Sequence, residues 1–331
     1  MRHLLLRLVA VSVVFVSTRA ALADGGARAG VATVDITPDY PVRLSGFGFR
    51  RAESEGVTHK IYAKALAVST QGEPPAVLIT VDNLGVPDYM TRDLARRLGD
   101  KASVDPSRLS VTSTHTHTAP MLKDVCPTLF GTEIPPEHQK NIDRYTRELA
   151  DKLEQVALEA LKDLAPARLE YGIGGAGFAA NRRTRGGPVD HDLPVLAVRD
   201  AAGKLRAVYV SYACHCVTLR DNKISGDWAG YVEEMIQEKH PGVVALTSVG
   251  CGADSNPSVP QGTADVARGQ GAEIAAEVDR LLRQRLAPVD QPLKAAVQRV
   301  ELMFDAHPAR AEWEAKAKQT DAVGYHARVQ L

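Results

Sequence analysis

The chain has 331 residues, 40 Lys plus Arg against 40 Asp plus Glu, and a mean hydropathy of −0.16. Balanced charge excludes electrostatic capture by nucleic acid or anionic lipid as the mode of binding. Four cysteines, Cys126, Cys214, Cys216 and Cys251, exclude a scaffold built on disulfides. A core of ordinary size must hold the fold, and no internal repeat or long linker is visible that would divide it in two.

The chain opens with Arg2 and Arg7 ahead of a short apolar run that ends in Ala21-Leu22-Ala23. That is the pattern of a secretory signal peptide over residues 1–23, with export to the periplasm or the medium as its consequence. Only 11 residues lie between Arg7 and Arg19, whereas a membrane span takes about 20 apolar residues. Beyond the signal, residues 24–331 are expected to form one large domain. Aliphatic and β-branched runs predict strands at 31–36, 76–82, 108–113, 168–173, 194–200, 207–213 and 243–249. Helical periodicity predicts a helix over 88–100, stopped by Gly99, and another over 137–164 with Ile142, Tyr145, Leu149, Leu153, Val156 and Leu161 on one face. Two more helices are expected at 228–240 and 264–286, and a last one opens near Pro308. Strands interleaved with helices make an α/β domain, and several strands in direct succession make its sheet mixed.

The chemically competent clusters follow apolar strands. "SVTS" runs into "THTHT", "VYVSYA" into "CHCVT", and "VVALTSV" into "GCGADSNP". Ligands of α/β sheets bind beyond the carboxyl ends of strands, so three strand ends distant in sequence can meet at one site. If 113–117 stays extended, His115 and His117 point to one side. One imidazole can then bind a metal while its neighbour faces substrate, or both can bind. His215 ends a second strand, and Cys214 and Cys216 should face away from it, as core packing or, with Cys251, as disulfide partners. "AANRRTRGG" crowds Arg182, Arg183 and Arg185 into a turn suited to a carboxylate or an oxyanion. The two glycines of "GCGADSNP" allow backbone N–H groups to approach a ligand closely.

Taken in order, "AGVATVDITP", "LSGFG", "GVTHKIYAKALAV", "SVTSTHTHTAP", "NRR", "DLPVLAVRD", "YACHCVTL", "SGDWAGY" and "VGCGADSNP" resemble the neutral/alkaline non-lysosomal ceramidases, over about residues 29 to 290. The resemblance implies a zinc-dependent amidase that cleaves the N-acyl amide of ceramide or a related N-acyl compound, in transient contact with membrane surfaces. It matches His115 and His215 to zinc ligands, His117 and Arg182 to residues beside the scissile amide, and Ser255 to a family serine. The family's Glu and Tyr ligands have no counterpart found here, which implies that 24–331 is the family's N-terminal catalytic domain, incomplete at its C-terminus, with an incomplete zinc shell, weak activity for these residues alone, and Asp227 or Asp254 as substitutes. Two other readings stay open: a catalytically incomplete binding protein of the same fold, and an exported metallohydrolase for sugars or peptides.

Overall fold

The computed structural model describes residues 26–259 and 261–331, so the expected signal peptide lies outside the described residues. In chain order the elements are β1 (Arg28–Asp35), β2 (Tyr62–Ser69), β3 (Ala76–Val81), α1 (Asp88–Ala102), β4 (Leu109–Ser113) and α2 (Pro136–Lys162). There follow β5 (Ala165–Gly175), β6 (Ala179–Asn181), β7 (Asp192–Asp200), β8 (Leu205–Tyr212), α3 (Asp227–Lys239), β9 (Val244–Val249), β10 (Ser255–Pro257) and α4 (Ala264–Leu282). A short β11 (Ala287–Pro288) and two helices, α5 (Arg310–Lys316) and α6 (Ala322–Gln330), complete the described chain.

The main sheet runs β4-β3-β2-β1-β5-β7-β8-β9, with β11 added to β5. The pairs β3/β4 and β8/β9 are parallel and the other pairs antiparallel, so the mixed α/β expectation is met. Side-chain alternation then sorts the core. Ala63, Ala65 and Ala67 of β2 join α1 and α2 in one cluster, and Val208, Val210 and Tyr212 of β8 join α3 and α4 in another. The opposite faces, with Leu66, Leu169, Val198, Ala207 and Leu246, make a third cluster between the two halves of the sheet. The sheet therefore folds over on itself, and β9 from one end touches β1, β2, β3 and β4.

That closure encloses a buried ion pair. Lys64, 1% exposed on the inward face of β2, donates to Glu233 of α3 at 2.6 Å and to the Ala245 carbonyl of β9 at 2.8 Å. Burial pushes the carboxyls of Glu233 and Asp82 up, and the Lys64 ammonium opposes the rise.

Several expectations are corrected. Gly99 does not stop α1: the helix continues to Ala102, and Ser103 takes the left-handed turn (φ 53°) and donates to Gly99 O. Strand β2 was absent from the pattern because its face toward the helices is built of alanines. The last helices begin after Pro308, with Ala309 as N-cap, so the proline precedes the first turn. A repeat does exist, in topology: three antiparallel strands, helix, parallel strand and helix occur twice, β1 to α2 and β5 to α4. Between β11 and α5 the chain is irregular and leaves Leu302, Met303 and Phe304 exposed.

Candidate metal centre

The two parallel strand pairs end at the same place. Past β4, Thr116 forms a parallel bridge with Cys216, past β8, and His117 N donates to Cys216 O at 3.1 Å. The Thr116 and Thr118 hydroxyls both donate to Ser225 O, at 3.0 and 2.9 Å, and the intervening His115 and His117 turn the other way. The segment is not extended as expected: β4 stops at Ser113, and His115 sits at φ 59°. Left-handed backbone at a non-glycine residue costs energy, so it persists here because the bonds on either side fix it.

His115, His117 and His215 each offer a nitrogen, and these atoms all lie within 4.8 Å of one another. The Nε2 atoms of His115 and His117 are 3.4 Å apart, and the rings of His115 and His215 are centred 4.6 Å apart. His115 Nδ1 lies 2.7 Å from the Leu84 carbonyl. A carbonyl can only accept, so this nitrogen carries the proton and Nε2 is left with its lone pair. Burial keeps all three rings neutral: it lowers His115, and it takes His117 to about 3 and His215 to about 4, with neighbouring histidines and the guanidiniums of Arg50 and Arg182 adding to the effect. Neutral imidazole is the form that binds metal.

The donor set fits zinc. Two nitrogens on one tetrahedral zinc, at bonds of about 2.0 to 2.1 Å, lie about 3.3 Å apart. The Nδ1 atom of His215 is buried without a hydrogen-bond partner, which is costly unless a ligand satisfies the ring. Among the described residues these three histidines form the one group able to hold an ion. Asp227 and Asp254 do not join it. Asp227 accepts from Leu219 N (2.8 Å) and Trp228 N (2.6 Å), and burial raises its carboxyl to about 6. Asp254 accepts from Ser255 Oγ at 3.1 Å and Asn181 at 3.3 Å.

The remaining sequence candidates surround this cluster. Strand β10 pairs with β6 and brings the "NRR" turn against the "GADSNP" loop. Arg182 N donates to Asp254 O (2.7 Å) and its Nε to Ala253 O (3.0 Å), so the turn is anchored while the guanidinium remains at the site. Ser255 is buried. Its carbonyl accepts from His215 N at 2.9 Å and its hydroxyl turns to Asp254. Gly250 and Gly252 serve packing and not a ligand: a Cβ on Gly252 would stand 2.5 Å from the backbone of Ala213 and Cys214, just ahead of His215. All four cysteines are free thiols, and burial raises those of Cys214 and Cys216, which pack in the core away from the cluster.

Three further residues hold the histidines, and their types carried no signal of it in the sequence. Arg50 is buried and donates to Ser45 O, His117 O and Asp221 O at 2.6, 2.6 and 2.8 Å, tying three loops together; burial lowers its pKa to about 10. Trp228 Nε1 donates to His215 O at 3.0 Å. Gly46 (φ 89°) lies flat against His117, where a Cβ would fall 2.4 Å from the ring. His117 and Arg182 line an open cavity of about 360 Å³, with Phe47, Arg220, Asn256 and Val259 also in its wall.

No protein-family model and no curated protein matches the sequence. The fold is shared with solved structures: a ceramidase complexed with C2, at a TM-score of 0.68, and the neutral ceramidase from Pseudomonas aeruginosa, at 0.66. Each is 20% identical to this chain and covers 78% of it. The chain spans less than half of either, 44% and 45%. The common ground is the fold expected from the sequence resemblance.

Proposed function

We propose that the chain carries the centre of a zinc-dependent amidase that hydrolyses an N-acyl amide of the ceramide type. The observation that carries this reading is the convergence of three neutral histidines from two separate strand ends, inside a fold shared with ceramidases. His115 and His215 would hold the ion, which leaves the His117 nitrogen that faces them free for proton transfer. Zinc in such a site supplies Lewis-acid polarisation of a carbonyl and acidifies water.

The chain's own residues account for the rest of the reaction. Arg182 lines the cavity beside the histidines and is placed to bind the amide oxygen as it gains negative charge. His117, neutral and in the same wall, takes a proton from the attacking water and delivers it to the leaving nitrogen as the C–N bond breaks. The products are a fatty acid and a free amine. Ser255 acts on this chemistry through its carbonyl, which fixes the His215 backbone. Export follows from the N-terminal pattern of residues 1–23 and is checked by sequencing the mature N-terminus.

The test is metal analysis of the purified protein together with fatty-acid release from N-acyl amides, with and without a chelator. About one zinc per chain and chelator-sensitive release are expected. Zinc without release on any N-acyl amide favours the binding-protein reading, and failure to retain zinc removes the metal centre.

A further inference from the structure

The cavity beside His117 has a charge pattern that a neutral lipid does not explain. Two guanidiniums, Arg182 and Arg220, stand in its wall, and no carboxylate does. Neither guanidinium forms an ion pair among the described residues. Arg220 is also held in place: its guanidinium lies over the rings of Phe47 and Phe49, 5.1 and 5.4 Å from their centroids. Stacking on two aromatic faces orients the planar donor fork and limits the rotamer freedom that binding would remove. Asp254, the acid nearest the Arg182 turn, is already occupied by Asn181 and Ser255. In the same wall, the side-chain oxygen of Asn256 is buried without a partner. An acceptor left in that state calls for a donor from the ligand. Phe49 (54% exposed) beside Arg220 and Val259 (47% exposed) in the wall add an apolar rim.

We propose that the substrate is an N-acyl amino acid: an acyl chain on the apolar rim, an amide N–H offered to Asn256, and a carboxylate on the amine portion clamped by Arg220. This rests on the amidase reading of the site. Arg182 is assigned to the amide oxygen, which leaves Arg220 as the second cation in the cavity. Both line one small cavity with His117, so the anion must sit within a few bonds of the scissile amide. On the acyl side those bonds are methylenes, whereas in an N-acyl amino acid the carboxylate is attached one carbon from the amide nitrogen. Bidentate pairing of carboxylate with arginine supplies the selectivity.

The experiment compares three ligands of equal chain length: N-octanoylglycine, neutral N-octanoylethanolamine, and its O-phosphorylated form. Hydrolysis and, separately, binding to the zinc-loaded protein by calorimetry are measured for the wild type and Arg220→Gln. The glycine compound is expected to bind at least about tenfold more tightly than the neutral one, a ratio that Arg220→Gln brings toward one, with Arg220→Lys intermediate. Equal binding of the acidic and neutral compounds overturns the proposal even if both are hydrolysed. Tighter binding of the phosphorylated compound overturns the choice of carboxylate. Selective, Arg220-dependent binding without hydrolysis supports the ligand assignment while removing the amidase reading, so the two failures are distinct.

Discussion

The two halves of the molecule repeat one topology and divide the chemistry unequally. In the first half the histidines follow the fourth strand, β4, and the loop after the third, β3, gives a carbonyl, Leu84 O, that fixes the His115 tautomer. In the second half the histidine follows the third strand, β8, and the loop after the fourth, β9, gives the carbonyls: Ser255 O holds the His215 backbone and Asp254 O holds Arg182. Ligand and supporting carbonyl have exchanged places. The Thr116–Cys216 bridge joins the two loops, so the histidine cluster belongs to the seam and neither half contains it alone.

The comparison breaks most sharply at the ligands. His115→Asn in one half and His215→Asn in the other should each weaken zinc by at least about a thousandfold, since each removes one of the two nitrogens assigned to the ion. Titration with a zinc-competing dye checks this, and tight retention by either variant would show that one half suffices. Next in size is the contact across the fold. Lys64→Met leaves Glu233 buried without its cation and should cost about 3 to 5 kcal/mol in a denaturant melt, less if Glu233 takes up a proton. Lys64→Met combined with Glu233→Leu should recover much of that loss.

The pH dependence sharpens the comparison between histidines. Folded values of about 3 for His117 and about 4 for His215 lie below the ordinary value of 6.5. The unfolded chain therefore binds protons first as pH falls, and metal-free protein should lose a few kcal/mol between pH 6.5 and 4. Above pH 6.5 this contribution is fully present. Melting across that range should show a shallower slope for His117→Gln and for His215→Gln than for the wild type. The smallest effect is expected at Trp228→Phe, which removes the bond to His215 O and should lower zinc affinity about tenfold with little change in the fold.

Much of this was legible in the sequence, element by element. Seven strand segments and four helices follow from apolar periodicity, and the buried stripe Ile142, Tyr145, Leu149, Leu153 and Val156 lies where a helical repeat puts it. His115, His117 and His215 stand out because polar groups at strand ends have few packing reasons to be there, and the family resemblance picks Arg182 from the three arginines of its turn. The Ala-faced β2 did not stand out, since small side chains carry little hydrophobic signal. The topological repeat was hidden because two sequences can satisfy one burial pattern with different residues.

What the sequence determined alone was therefore local: which segments are strands or helices, and which residue types could bind a metal or an anion. Tertiary structure decided the rest, because it depends on neighbours that sequence spacing does not specify. Folding the sheet over on itself brought His215 to His115 and His117, buried the rings enough to keep them neutral, and left Arg50 and Trp228 to hold the loops. It turned Gly250 and Gly252 toward the chain ahead of His215 and took the carboxylates of Asp227 and Asp254 out of reach of the metal centre. A residue's type sets what it can bind, and the packing around it sets whether its lone pair, charge or backbone is free to do so.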